Sequence, residues 1–331
     1  MTTTPTGPAI AVTGLRRSYG SQVVLDGIDL EVPEGSVFSL LGPNGAGKTT
    51  VVRILSTLIR ADAGEARVRG HDVVRDADRV RAAIAVTGQF AAVDDFLTGE
   101  ENLRLMADLH HLDRAEGRRR VADLVERFDL GQAAGKAAVT YSGGMRRRLD
   151  LAMGLVGDPR VVFLDEPTTG LDPRSRRDVW RAVRDLAAGG VTVFLTTQYL
   201  EEADQLADRV ALLDHGRLVA EGTPAELKRR VPGGHVELRF ADEHALAAAV
   251  AALGAVPDPT DEPLVLRVPG DGGVRSLKAL LDRLDAASVE VDGLTVRTPD
   301  LDDVFFALTG RPATGRPATD RLATDAEEAT A

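Results

Sequence analysis

Gly42-Pro43-Asn44-Gly45-Ala46-Gly47-Lys48-Thr49-Thr50 follows the apolar run Val37-Phe38-Ser39-Leu40-Leu41 and precedes an amphipathic stretch with Val51, Val52, Ile54, Leu55 and Leu58. Strand, glycine loop and helix in that order match GxxxxGK[ST], the pattern that cradles phosphate groups. Glycines without Cβ let successive backbone amides curl around a β-phosphate. The helix opening at Lys48 points its N-terminal dipole and free N–H groups at the same anion. Lys48 is placed to reach the β- and γ-phosphates as a point charge, and the Thr49 hydroxyl to take one position on an octahedral Mg²⁺.

The 331 residues are enough for about two domains, and the apolar fraction of 44% fits a folded chain. A formal charge of −11 argues against a general affinity for nucleic-acid phosphate. With no cysteine, disulfides, thiolate metal sites and a cysteine nucleophile are excluded. Residues 1–8 are Thr/Pro-rich without the basic start and apolar core of a signal peptide, so a flexible N-terminus is expected. No apolar run approaches the ~18 residues of a membrane helix, so any action at a membrane requires a partner.

Outward from the glycine loop, Ala9 to Val12 and Val23 to Leu25 read as short strands, with Tyr19 in the loop between them. A tyrosine there suits stacking on an adenine ring, although a lone aromatic is as readily a packing residue. Ala66 to Gly70 reads as an edge strand, and Gln89 follows the strand 83–86 at an end where ligands of open α/β sheets sit. From Leu97 the 3.6 period of Leu103, Met106, Leu109 and Leu112 predicts a helical insert over about 97–157. Within it, Ser142 is a good N-cap, and Gly143-Gly144 allows close approach of another molecule. Arg146-Arg147-Arg148 reads as a solvated helix face.

Val161 to Leu164 predicts a fully buried strand closed by Asp165 and Glu166. Two acids there divide the work: Asp165 toward Mg²⁺ through water, Glu166 polarising the attacking water. Asp172 lies in the turn that starts the next helix, and Gln198 ends the buried strand 191–197. Val231-Pro232-Gly233-Gly234 reads as a linker to a unit over 235–310 that alternates strands and helices, an α+β pattern with nothing catalytic in it. The tail 311–331, with its repeated Arg-Pro-Ala-Thr, is expected to be disordered.

Tyr19, the loop at 42–50, Gln89, Ser142-Gly143-Gly144, Asp165-Glu166, Asp172 and Gln198, in that order, resemble the nucleotide-binding subunits of ATP-binding cassette (ABC) transporters over roughly residues 9–230. The likeness implies a P-loop α/β core with an antiparallel β subdomain and a helical subdomain. It also implies two subunits enclosing two ATP molecules, with Ser142, Gly143 and Gly144 contacting the γ-phosphate held by the other subunit. Tyr19 would be the adenine-stacking residue, Gln89 the Mg²⁺-sensing glutamine that faces the membrane partner, and Asp172 a link between the two sites. The sequence departs from the family pattern in Tyr141 and Met145, where Leu and Gln are commoner, and in Gln198, where most members carry histidine. A glutamine amide donates to phosphate or orients water but carries no charge, which predicts slower hydrolysis with less pH dependence.

Leu195 to Asp204 and Leu301 to Gly310 are similar to the daunorubicin/doxorubicin-resistance ATP-binding subunits. That implies the peripheral, cytoplasmic-face motor of a drug exporter working with a separate membrane permease. Two other readings stand beside it. A cassette ATPase acting on ribosomes or DNA is opposed by the single glycine loop and an insert of ordinary length. A module that binds ATP without hydrolysing it is opposed by Lys48, Asp165 and Glu166. Import, or a lipid or polysaccharide cargo, uses the same motor.

Overall fold

Why three of the strands are buried along their whole length is explained by what covers them. The computed structural model describes residues 7–88, 92–231, 234–255, 263–270, 273–297 and 299–309. These divide into two compact units between Pro224 and Ala225, several residues ahead of the linker read at 231–234. The tail from 311 lies outside the described residues.

In chain order the first unit contains β1 (Ile10–Tyr19), β2 (Gln22–Val32), β3 (Val37–Leu41), α1 (Lys48–Leu55), β4 (Ala63–Val68), β5 (His71–Asp72), α2 (Ala77–Ala83) and β6 (Ile84–Thr87). The helices α3 (Gly99–Leu109), α4 (Arg114–Arg127) and α5 (Gly143–Leu155) follow. Then come β7 (Val161–Asp165), α6 (Pro173–Ala188), β8 (Thr192–Thr197), α7 (Leu200–Leu206), β9 (Arg209–Asp214) and β10 (Arg217–Gly222). The six-stranded sheet has the order β10-β9-β3-β8-β7-β6, parallel except for the β9–β10 hairpin. A second, antiparallel sheet has the order β2-β1-β4-β5. β4 is therefore an inner strand, not the edge strand expected from its charged residues; the two-residue β5 takes the edge.

Successive side chains of a strand point to opposite faces. On β7, Phe163 packs in one cluster with Ile10, Leu25 and Ile28 of the antiparallel sheet, Ile54 of α1 and Phe38 of β3. Its neighbours Val162 and Leu164 pack with Leu103, Leu124, Phe128, Leu149 and Val179 of the helices. β8 does the same, with Phe194 on one side and Val193 and Leu195 on the other. Two apolar layers leave such strands no solvated face, so their sequences run apolar without alternation.

The parallel register sets the chemistry. Leu41 lies opposite Thr197, and Asp165 opposite Thr196, so the carboxyl ends of β3, β7 and β8 are level. Whatever follows those strands emerges at one edge, where ligands of α/β sheets bind.

The second unit contains α8 (Pro224–Arg229), which begins one residue before it, then β11 (His235–Arg239), α9 (Glu243–Leu253), β12 (Val265–Pro269), α10 (Val274–Ala286), β13 (Gly293–Arg297) and α11 (Leu301–Thr309). Its antiparallel sheet has β11 in the middle, with Leu238 opposite both Leu266 and Leu294.

Candidate functional site

The glycine loop leaves β3 and closes over the amino end of α1. Gly47 shows why the pattern demands glycine: its φ is +110°, and a Cβ there would meet the Leu25 side chain at 2.7 Å and the Val24 carbonyl at 2.9 Å. Gly42 N–H donates to the Thr197 carbonyl at 3.2 Å, tying the loop to the strand that ends beside Gln198. Lys48 is 4% exposed, and its Nζ donates to the carbonyls of Gly42 at 2.8 Å and Pro43 at 3.1 Å. Glu166 Oε1 stands 3.4 Å from the same nitrogen. Burial pulls the Lys48 pKa below the ordinary lysine value, while Glu166 and Asp165 oppose that shift.

A pocket of about 450 Å³ opens above this loop, lined by Tyr19, Gln22, Val24, Asn44, Gly45, Gly47, Lys48, Thr49, Thr50 and Glu166. Gly42, Pro43 and Ala46 do not line it. Tyr19 is 45% exposed, with the Arg17 guanidinium 4.8 Å from its ring centroid. Gln22 and Val24 enter because β2 runs past the loop. Sequence reading missed them because nothing in a short strand announces which loop it will face.

The two acids at the end of β7 have different surroundings. Asp165 is 7% exposed and accepts a hydrogen bond from the Thr196 hydroxyl. Glu166 turns out of the strand in the left-handed region, with φ +51°. Its amide is held at 3.1 Å by both the carbonyl and the hydroxyl of Thr196, and Thr169 Oγ1 donates to its Oε2 at 3.3 Å. A non-glycine residue in that conformation costs on the order of 1–2 kcal/mol, and these bonds hold it with the carboxylate over Lys48.

Gln198 follows β8 at the same edge, half-buried and outside the pocket lining. Ser142 caps α5, accepting from Met145 N–H at 3.3 Å. Gly144 lies against α6, where a Cβ would come within 2.3 Å of Ser175 Oγ. Asp172 caps α6, accepting from the amides of Arg174 and Ser175 at 3.0 Å and from the Ser175 hydroxyl at 2.6 Å. Those Ser175 bonds hold its carboxyl below the usual range. Ser142, Gly143, Gly144 and Asp172 do not line this chain's pocket. Gln89 lies outside the described residues. Tyr141 is accommodated by burial, with its hydroxyl donating to the Ala133 carbonyl at 2.7 Å.

The three arginines after Met145 are not a solvated face. Arg147 is 6% exposed and bonded to main-chain carbonyls, Arg148 donates to the Phe128 carbonyl at 3.1 Å, and Arg146 pairs with Asp95. Helix periodicity could not reveal this, because their partners lie on other elements.

Residues 25–169 match the sequence profile of the ABC transporter family. The daunorubicin resistance ATP-binding protein DrrA3 of Streptomyces coeruleorubidus is 52% identical over 91% of this chain and 96% of its own length. The chain belongs to the ABC transporter ATP-binding proteins. The daunorubicin/doxorubicin resistance ATP-binding protein DrrA of Streptomyces peucetius is 49% identical over 95% of this chain and 96% of its own length. A solved ATP-binding subunit of an ABC transporter superposes with a TM-score of 0.60 at 28% identity, covering 67% of this chain and 92% of that structure. As an ABC ATP-binding protein the chain binds ATP and is an ATPase. Among the described residues, no helix is long and apolar enough to cross a membrane.

Proposed function

We propose that this chain is the motor of an exporter: it hydrolyses ATP to drive a hydrophobic, anthracycline-like drug through a separate membrane permease, from the cytoplasmic face. The observation that carries the catalytic part is Glu166, held in a left-handed turn with its carboxylate 3.4 Å from Lys48 at the pocket mouth. In this reading Lys48 exchanges the loop carbonyls and Glu166 for the β- and γ-phosphates. Glu166, released from its ion pair, accepts a proton from the attacking water. Tyr19 stacks on the adenine, the amides of Gly45, Gly47, Lys48, Thr49 and Thr50 hold the phosphates, and Gln198 orients the γ-phosphate or the water with its amide.

The residues present fit Mg²⁺. Thr49, which lines the pocket, and Asp165, the residue before the pocket-lining Glu166, offer hard oxygen donors. When bound, the ion neutralises charge on the β- and γ-phosphate oxygens; Gln89 is proposed for the same shell. Ser142, Gly143 and Gly144 at the start of α5 are proposed to serve the γ-phosphate of a second copy, with Asp172 between the two sites. Their absence from this chain's own pocket lining supports an isologous dimer. The export direction and the drug are supported by the names of the relatives at about half identity.

Isolation of the chain from native membranes tests the transporter reading. An integral membrane protein should come with it and, reconstituted together, should move an anthracycline against its gradient on ATP. Recovery with ribosomes or DNA, or transport of a lipid or saccharide instead, would replace the exporter reading and leave the ATPase intact. For the catalytic reading, Glu166→Gln should abolish turnover and accumulate ATP-bound dimer; turnover at the wild-type rate would remove Glu166 from its role.

A further inference from the structure

Behind the pocket, on the face of α5 turned toward the sheet, lies a buried ion pair that the scheme above does not use. Arg147 and Asp150 are 6% and 5% exposed, and Arg147 Nη1 donates to Asp150 Oδ2 at 3.1 Å. The guanidinium also reaches two other segments. Its Nε donates to the Pro167 carbonyl at 2.8 Å, and Nη1 donates to the Gly88 carbonyl at 2.8 Å. Asp150 in turn accepts from the Ala92 amide through Oδ1 at 2.9 Å.

Each contact has a position that matters. Pro167 follows Glu166 directly, Gly88 follows the last residue of β6, and the helix that carries the pair begins at the Ser142-Gly143-Gly144 turn. One planar group thus fixes α5 to the ends of two parallel strands. The task suits arginine: a guanidinium presents donors in fixed directions within one plane, whereas a lysine ammonium is a point donor on a flexible stem. Burial lowers the Arg147 pKa and raises that of Asp150, and each partner opposes the other's shift. Mutual contact and the main-chain groups offset that burial cost, as a buried ion pair requires, although Arg147 Nη2 has no hydrogen-bond partner among the described residues. Neither residue lines the nucleotide pocket.

We infer that Arg147, oriented by Asp150, is a positioning residue for hydrolysis, setting where the Ser142–Gly144 turn stands relative to Glu166. The inference rests on the proposed roles of Glu166 and of that turn. It separates two quantities. Capture of ATP by the Lys48 pocket does not depend on Arg147, whereas the chemical step, which needs the turn of one copy and the glutamate of another in register, does.

The test uses the full chain with Arg147→Lys, Arg147→Met, Asp150→Asn and the double variant Arg147→Met/Asp150→Asn. Misplacing a reacting group by about an ångström costs up to about a hundredfold in rate. Both Arg147 variants are therefore expected to lose roughly tenfold to a hundredfold in kcat, with KM and equilibrium ATP affinity within about twofold of wild type. The double variant should be no slower than Arg147→Met, because the two residues act as one unit. Hydrogen exchange at the Ala92 amide should speed up in the Asp150→Asn and Arg147→Met chains while the amides of β7 stay protected. If Arg147→Met does not fold, Arg147→Lys decides, since it keeps the charge and loses only the planar fork. A folded Arg147→Lys chain with wild-type kcat overturns the inference. So does a loss of kcat matched by equal losses of ATP affinity and thermal stability, which marks a purely structural role. Failure of the Glu166 reading is separable: Glu166→Gln would then hydrolyse ATP normally, whatever Arg147 does.

Discussion

In the first unit, the level ends of β3, β7 and β8 gather Lys48, Asp165, Thr196 and Thr197 out of water, with Arg147, Asp150 and Glu202 buried behind them. In the second unit the buried side chains among the described residues are apolar: Val236, Leu238, Phe240, Leu253, Leu266, Leu284 and their neighbours. Its charges stay toward the rim, as where Glu237 meets Arg267 at 3.2 Å with both side chains partly exposed. Burying a charge costs desolvation and is tolerated only when partners replace the lost water. The first unit meets that requirement at the sheet edge where the pocket opens; the second has an apolar interior. The contrast teaches that buried charge with exacting partners marks the sheet edge beside the glycine loop, and that a core built from apolar side chains carries no such mark.

Four experiments break or sharpen the contrast. Leu238→Ala, at the centre of the second unit's sheet, should cost that unit about 2–5 kcal/mol in denaturant unfolding and leave ATP affinity in the first unit unchanged. A parallel fall in ATP affinity would show that the units are not energetically separate. Lys48→Ala should act the other way, weakening ATP binding by about a hundredfold for about 3 kcal/mol of lost charge-assisted contact while the unfolding transition of the ATP-free chain stays nearly in place. Retained affinity in equilibrium nucleotide binding would remove Lys48 from the phosphate site.

A smaller effect is expected at Gln198. Replacement by histidine should raise turnover severalfold and introduce a pH dependence near about 6.5, the ordinary imidazole pKa. A steady-state rate at or below wild type across pH 6–8 would count against the proposed role. The smallest effect concerns Glu202, fully buried on α7, where its Oε1 accepts from Trp180 Nε1 at 3.0 Å and the Thr197 and Thr168 hydroxyls face it. Burial raises its carboxyl above the ordinary 4.5, so just above that pH the native chain holds a proton that the unfolded chain has released. Wild-type stability should therefore fall, relative to Glu202→Gln, as pH rises from about 4.5 toward the native pKa. Glutamine keeps the acceptor for Trp180 and does not titrate. Parallel stability curves for the two chains would show that burial of this carboxyl carries no such cost.

Legibility followed the same division. The glycine loop, Asp165-Glu166 and the cap at Ser142 were readable because their chemistry demands particular residue types at adjacent positions. The strands β7 and β8 were readable because two apolar layers impose a continuous apolar run. β4 was misplaced at an edge because solvent on one face and an exposed edge leave similar polar marks. The arginines at 146–148 were misread because Arg147 meets Pro167 and Gly88, which lie 20 and 59 residues away along the chain. No local period encodes such partners.

The sequence by itself determined the phosphate loop, the acids, the order of the motifs and the alternating character of the second unit, since each is written in short-range spacing. Only the tertiary structure decided that Glu166 stands over Lys48, that Gln22 and Val24 complete the pocket, that Ser142–Gly144 do not line it, and that Arg147 ties α5 to the strand ends. Those facts depend on strand register and helix packing. Both are fixed by the summed burial of many side chains distant in sequence, which no single stretch of sequence contains.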